Sequence, residues 1–167
     1  MPDRRDDGAE IRQARESDLP AMLDIERASF PDPWSEASLA EELTSDWPPL
    51  VVVGGGAVRG YLCQFAGPGE LHVTNIAVHA EWRRQGLGKL LLEAAIRKAR
   101  EGSCTHVFLE VRPSNEPARR LYSRLGFVEL YRRRRYYIKP AEDGLVLVLA
   151  LSGETGSEVR NNSGEDR

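Results

Sequence analysis

Residues 75–100 constrain this chain most. They read NIAV, then HAEWRRQGLGK, then LLLEAAIRKAR. An apolar strand ends, a basic glycine turn follows, and an amphipathic helix starts at once. After Gly88 the apolar positions Leu90, Leu91, Ala94 and Ala95 share one helical stripe, with Leu87 just before it. That spacing puts Arg84, Gln85, Gly86, Leu87, Gly88 and Lys89 at a helix N-terminus. Backbone N–H groups there lack partners inside the helix, and the helix dipole is positive at that end. Gly86 and Gly88 have no side chains to block an anion. The turn is suited to holding a phosphate or pyrophosphate on main-chain N–H groups.

Two common phosphate loops are excluded. Lys89 is followed by Leu90 and the upstream glycine is missing, so this is not Walker A. Leu91 stands where the dinucleotide fingerprint needs a third small residue. What remains is Arg83-x-x-Gly86-x-Gly88 after a strand at 74–78. The pattern resembles the acetyl-CoA signature of the GNAT N-acetyltransferase superfamily. An ordinary glycine-containing strand-to-helix turn is the plainer reading of the same residues.

The chain has 167 residues, 41% of them hydrophobic and 29% charged, which suits one soluble globular domain with its own core. No apolar run approaches a membrane span, and MPDRRDDGAE lacks the apolar stretch of a signal peptide. A cytoplasmic protein is therefore expected. Net charge is −3, and the tail after Leu151 carries most of it through Glu154, Glu158, Glu165 and Asp166 against Arg160 and Arg167. The body is close to neutral, which gives no case for direct nucleic-acid binding. Cys63 and Cys104 lack CxxC spacing and read as buried thiols. His72, His79 and His106 are scattered, so no metal site is expected.

In chain order, residues 1–8 are polar and expected to be disordered, and residues 9–14 can form a first strand. Ser17 or Asp18 can cap a helix running to about Phe30, with Leu19, Met22, Leu23 and Ile25 or Arg27 on one face. Pro31 and Pro33 break it, and Ser35 caps a second helix. Residues 50–53, the Gly54-Gly55-Gly56 turn and residues 57–65 read as a hairpin. Gly67-Pro68-Gly69 turns the chain into a strand at 70–78. Residues 106–112 form a strand with Val107, Leu109 and Val111 on one face and Glu110 on the other. Asn115 or Ser114 opens a helix carrying Ala118, Leu121, Tyr122 and Leu125, closed near Gly126. Residues 127–138 read as a strand interrupted by four arginines. Residues 145–151 are almost continuously apolar, which suits a central strand. The polar residues 152–167 are expected to be disordered.

The segments NIAV, RRQGLGKLLLEAAI, VFLEVRPSN and ARRLYSRLGF stand in the order and spacing of a GNAT domain. The chain looks like the subfamily that acetylates protein N-termini, and most like its ribosomal-protein alanine acetyltransferases. PWSEASL and RRRRYY carry the same likeness. It covers roughly residues 10–151. It implies an α/β GNAT fold over residues 9–151, a mixed, mostly antiparallel sheet of about seven strands flanked by helices on both faces. It also implies acetyl-CoA as acetyl donor and direct attack by an amine in a ternary complex. The acceptor is expected to be a protein N-terminus, the N-terminal alanine of the eighteenth small-subunit ribosomal protein. A lysine side chain or a small amine is the enzymatic alternative. A silent acetyl-CoA-binding regulatory module is the non-enzymatic one. A monomer or weak dimer is expected.

That chemistry needs a neutral amine, a polarised carbonyl and a proton for the departing thiolate. An α-amine has an intrinsic pKa of about 7.7–8.0 against about 10.4 for lysine, so a carboxylate with access to water is base enough. By resemblance, Glu110 is that general base; its plainer reading is an edge carboxylate paired with Arg112 or His106. By resemblance, Tyr122 is the general acid; its plainer reading is a core tyrosine. Asn115 is a helix cap, a cofactor contact, or both. Ile76, Ala77 and Val78 should pair their backbone with the pantetheine amides, and the Val78 N–H should polarise the thioester carbonyl. Residues 84–89 should cradle the pyrophosphate. Lys89 keeps a cation there without a guanidinium's bidentate pairing.

Trp34 reads as a hydrophobic staple or as a wall of the acceptor site. Tyr136 and Tyr137 resemble the aromatic pair that lines the acceptor N-terminus in this family. The run Arg132 to Arg135 has three readings: a charged edge strand, an acceptor-side patch, or a contact to ribosomal RNA. The neighbouring tyrosines favour the second.

Overall fold

The computed structural model describes residues 8–151. The disorder expected for residues 1–8 and 152–167 therefore falls outside the described residues, apart from the exposed Gly8. The elements are β1 (Glu10–Gln13), α1 (Leu19–Ser29), α2 (Glu36–Leu43), β2 (Leu50–Gly54), β3 (Ala57–Gly67), β4 (Glu70–Val78), α3 (Leu87–Glu101), β5 (His106–Val111), α4 (Glu116–Arg124), β6 (Val128–Ile138) and β7 (Ala141–Ala150). Short 3-10 turns precede α1 and follow β4.

The strands form one seven-stranded sheet in the order β1-β2-β3-β4-β5-β7-β6. Only β4 and β5 run parallel; every other neighbour is antiparallel. The long helix α3 is the crossover that a parallel pair requires. The apolar last strand β7 sits between β5 and β6, which accounts for its near-continuous hydrophobic run. The expected sheet and fold class are what the structure has, with helices on both faces.

Each face has its own core. On one, α3 and α4 cover Leu62, Leu71, Val73, Val107, Leu109, Leu145 and Leu147. On the other, α1 and α2 bring Met22, Leu23, Ile25 and Leu39 against Val51, Tyr61, Cys63 and Ala77. Both cysteines are buried thiols, as expected. The turn glycines behave as their spacing suggests: Gly55 and Gly56 take positive φ between β2 and β3.

Three local expectations are corrected. Leu90 is 39% exposed rather than on the buried stripe of α3; Leu92, Ile96 and Ala99 join Leu87, Leu91, Ala94 and Ala95 in the core. The covered face of α3 is wider than a single stripe, because the helix packs across β1, β2, β3, β4 and β5 of the sheet. Asp18 does not cap α1 with its side chain. Its carboxylate instead accepts both guanidinium nitrogens of Arg12, at 2.7 and 2.9 Å, and the Arg15 N–H at 2.7 Å. Finally, β7 starts at Ala141, four residues ahead of the apolar run, because it pairs with the end of β6 in a tight hairpin.

Candidate active site

The site begins where the two parallel strands part. β4 and β5 are paired only from Glu70–Val73 against His106–Leu109. Beyond Val73 the register of β4 against β3 shifts: Gln64 faces Val73 and Cys63 faces Asn75, leaving Thr74 as an extra residue. Such a bulge bends its strand, and here it turns β4 away from β5. The second half of β4 therefore keeps β3 on one side and has an open edge on the other.

Which main-chain groups reach that edge follows from the ladder. The His79 N–H donates to the Arg59 carbonyl at 2.7 Å, so Arg59 and His79 form a hydrogen-bonded pair. Gly60 with Val78 and Leu62 with Ile76 are then non-hydrogen-bonded pairs, and the polar groups of Ile76 and Val78 point away from β3. Ala77 lies opposite Tyr61, with its N–H and C=O turned to β3. The expectation that all three residues offer their backbone is thus corrected to Ile76 and Val78. The Val78 carbonyl already accepts from Arg83 Nε at 3.0 Å.

The opening is a cleft of about 590 Å³. It brings together Glu110, Tyr122, Asn115, Ile76, Trp34, Tyr136 and Tyr137, seven of the residues singled out in the sequence. Glu110 is half-buried on β5, on the face opposite Val107, Leu109 and Val111. The alternative partners proposed for it are occupied elsewhere. Arg112 donates to Pro140 O at 2.8 Å and Lys139 O at 3.1 Å and reaches Glu142 at 3.4 Å. His106 is bonded to Thr105 at 2.8 Å.

Tyr122 comes from α4 and is 5% exposed, edge-on to Phe127. Burial, helped by the neighbouring Tyr137, pushes its phenol well above the ordinary value of 10, so it holds its proton. Asn115 caps α4 by accepting the Ala118 N–H on Oδ1 at 3.3 Å, and it also lines the cleft. Of the two readings of Asn115, the helix cap is seen directly.

The tyrosine pair owes its placement to a second irregularity. The β6–β7 register jumps between Arg133 and Tyr137, with Arg135 at φ 52. Alternation would send adjacent residues to opposite faces; the bulge lets Tyr136 and Tyr137 both line the cleft, edge-to-face at 4.9 Å. Arg112 stacks on Tyr137 at 4.1 Å. Burial first, then Tyr136 and Glu110, pushes the Tyr137 phenol up to about 12. The arginine run lies on an edge strand, with Arg132 3.6 Å from Asp143 and Arg133 stacked over Tyr131 and Tyr136.

Residues 84–89 lie outside this cleft, at the N-terminus of α3. Arg84 and Gly86 take left-handed φ of 63 and 78°, and no side chain caps the helix. A Cβ at Gly86 would meet nothing within 4 Å, so the turn is open to solvent. Gly88 faces α4, where its Cβ would touch Leu121 at 3.4 Å. Lys89 is paired with Glu93 at 3.6 Å.

One feature of the cleft was not read from the sequence. Glu26 on α1 is 1% exposed and lines the cleft floor. It accepts from the Trp34 N–H at 2.9 Å, from Asn75 Nδ2 at 2.7 Å and from the Tyr61 hydroxyl. An available signal was an acid on the apolar face of α1, one turn after Met22.

The sequence matches the Acetyltransferase (GNAT) family over residues 19–127. It is 33% identical over 144 residues to the ribosomal protein bS18-alanine N-acetyltransferase of Escherichia coli (strain K12), covering 85% of this chain and 97% of that protein. An N-alpha-acetyltransferase of Sulfurisphaera tokodaii is 33% identical over 155 residues, covering 84% and 92%. Among solved structures, the ribosomal-protein-S18-alanine N-acetyltransferase from Escherichia coli superposes with a TM-score of 0.80 at 32% identity, covering 89% of this chain and 98% of that one.

Proposed function

We propose that this chain, which belongs to the acetyltransferase (GNAT) family and transfers an acetyl group from acetyl-CoA, acts on the α-amine at a protein N-terminus. Its acceptor is the N-terminal alanine of ribosomal protein bS18, by analogy with the Escherichia coli relative. The observation that carries the reading is the meeting of Glu110 and Tyr122 in one cleft at the parting of β4 and β5.

The donor side rests on two observations. The uncapped N-terminus of α3, with its open Gly86, suits a pyrophosphate held by the N–H groups of Gly86, Leu87, Gly88 and Lys89, with Arg84 and Gln85 alongside. The free edge of β4 suits pantetheine pairing at Ile76 and Val78, with Asn115 lining the same cleft as Ile76. Acetyl-CoA supplies a thioester carbonyl to the acceptor amine.

The chain's own groups do the rest. Glu110 takes a proton from the acceptor amine, directly or through water. The Val78 N–H faces the cleft side and stabilises negative charge on the carbonyl oxygen. Tyr122, kept protonated by burial, gives its proton to the departing sulfur. Trp34, Tyr136 and Tyr137 form the walls that hold the acceptor's first residues.

Two substitutions test this. Glu110→Gln and Tyr122→Phe are expected to abolish most CoA release from an Ala-starting peptide while acetyl-CoA binding, measured by calorimetry, stays within about twofold. Binding without turnover in the unaltered protein overturns the enzymatic reading of the site.

A further inference from the structure

We propose that Glu26 is a positioning residue that fastens the acceptor wall to the donor strand and thereby sets recognition of the acceptor's first residue. The inference rests on the acceptor reading above. It starts from an oddity: a carboxylate 1% exposed, with no cation paired to it among the described residues. Burying such a group is costly unless its lone pairs are filled. Here they are filled from three separate pieces of chain.

One oxygen accepts the Trp34 N–H in the connection between α1 and α2. The other accepts Asn75 Nδ2 from β4 and the Tyr61 hydroxyl from β3. Asn75 lies between the Thr74 bulge and Ile76, where β4 has just left β5. Glu26 thus spans the opening of the splay, with the donor strand on one oxygen and the aromatic wall on the other.

The packing argues that this contact serves the wall more than the fold. α1 is held on the sheet by Met22, Leu23 and Ile25. The connection it leads into has exposed Pro31, Asp32 and Pro33, and only Phe30 and Trp34 reach the core. The main-chain bond to a fixed carboxylate, together with the packing of its ring, therefore decides where Trp34 stands among the residues that line the cleft.

The test uses the full chain and Glu26→Gln. The amide keeps the shape, but its NH2 confronts donors, so at least one of them loses its acceptor. Hydrogen exchange is measured at the Trp34 amide without any substrate. Its protection is expected to fall by about tenfold or more, the size of one lost charge-assisted bond, while the Ala77 amide is unchanged. The KM for an Ala-starting peptide is expected to rise about tenfold, with kcat and the acetyl-CoA KM within about threefold. Selectivity for Ala- over Met-starting peptides is expected to shrink.

Retained Trp34 protection overturns the fastening, whatever the acceptor. Lost protection with an unchanged peptide KM, or a fall in kcat alone, overturns its role in recognition. A drop in protection throughout β4 assigns Glu26 to the fold and also overturns the proposal. Tyr61→Phe and Asn75→Ala, which each remove one donor, are expected to shift peptide KM the same way by less, and they decide the matter if Glu26→Gln does not fold. Failure of the unaltered protein on every N-terminal peptide instead sinks the function proposed above, and is read separately from the exchange data.

Discussion

Tyr136 packs directly against Gly144. A methyl group on Gly144 would come within 2.9 Å of Tyr136 Cδ1, closer than real carbon contacts allow, and 3.1 Å from its Cβ, which is also tight. The glycine on β7 is the seat that lets the bulged strand β6 turn this ring into the cleft. Gly144→Ala is expected to displace the ring, at a cost of about 1–3 kcal/mol for overpacking. Peptide KM should rise several-fold with acetyl-CoA KM unaltered, as steady-state kinetics with each substrate varied will show.

Tyr122 separates chemistry from packing. Tyr122→Phe keeps the ring against Phe127 and removes only the hydroxyl. The expected result is a kcat lower by about 10²–10⁴-fold, with a thermal midpoint close to that of the unaltered protein. Because burial raises the phenol's pKa, absorbance titration should find Tyr122 still protonated at pH 10, where an exposed tyrosine is half ionised.

Gly86 bears on the donor side. Its φ of 78° is strained for any β-branched residue. Gly86→Val is expected to weaken acetyl-CoA binding by about tenfold, from roughly 1–2 kcal/mol of lost left-handed geometry at the turn. Calorimetric titration checks this, and peptide selectivity should not change.

Asp18 gives the fold a pH-dependent component remote from the cleft. Its carboxyl is held below the ordinary 3.8, first by the Arg12 guanidinium and then by the Arg15 N–H, against burial. A depressed folded-state pKa means stability that is present above the unfolded value and lost as pH falls through the folded one. Asp18→Asn is expected to cost about 2 kcal/mol at pH 7, the scale of hydrogen bonds to a charged group. The difference in urea midpoint between the two proteins should shrink as pH drops from about 5 to 3.

How far the sequence reached depended on the range of the interaction. The strand, glycine turn and helix over residues 75–100 were legible because each signal is local: period, breaker, period. Glu110 and Tyr122 are candidates through resemblance, and their shared cleft depends on strand pairing that no local pattern reports. The splay comes from one extra residue at Thr74, and a single-residue register shift leaves no mark in composition. Tyr136 and Tyr137 break the alternation rule for the same kind of reason. Glu26 went unread because its partners lie 8, 35 and 49 residues away in sequence. Helical spacing puts Leu90 on the apolar stripe, yet it is exposed, because the buried face of α3 runs through Leu91, Leu92, Ala95 and Ala99.

The most direct measurement is CoA release by the purified chain with acetyl-CoA and a matched pair of peptides. One starts with a free alanine; the other has the same sequence, an acetylated N-terminus and an internal lysine. The account predicts turnover with the first, none with the second, and a mass increase on the α-amine alone. Turnover on the blocked lysine peptide, with none on the free N-terminus, would contradict it.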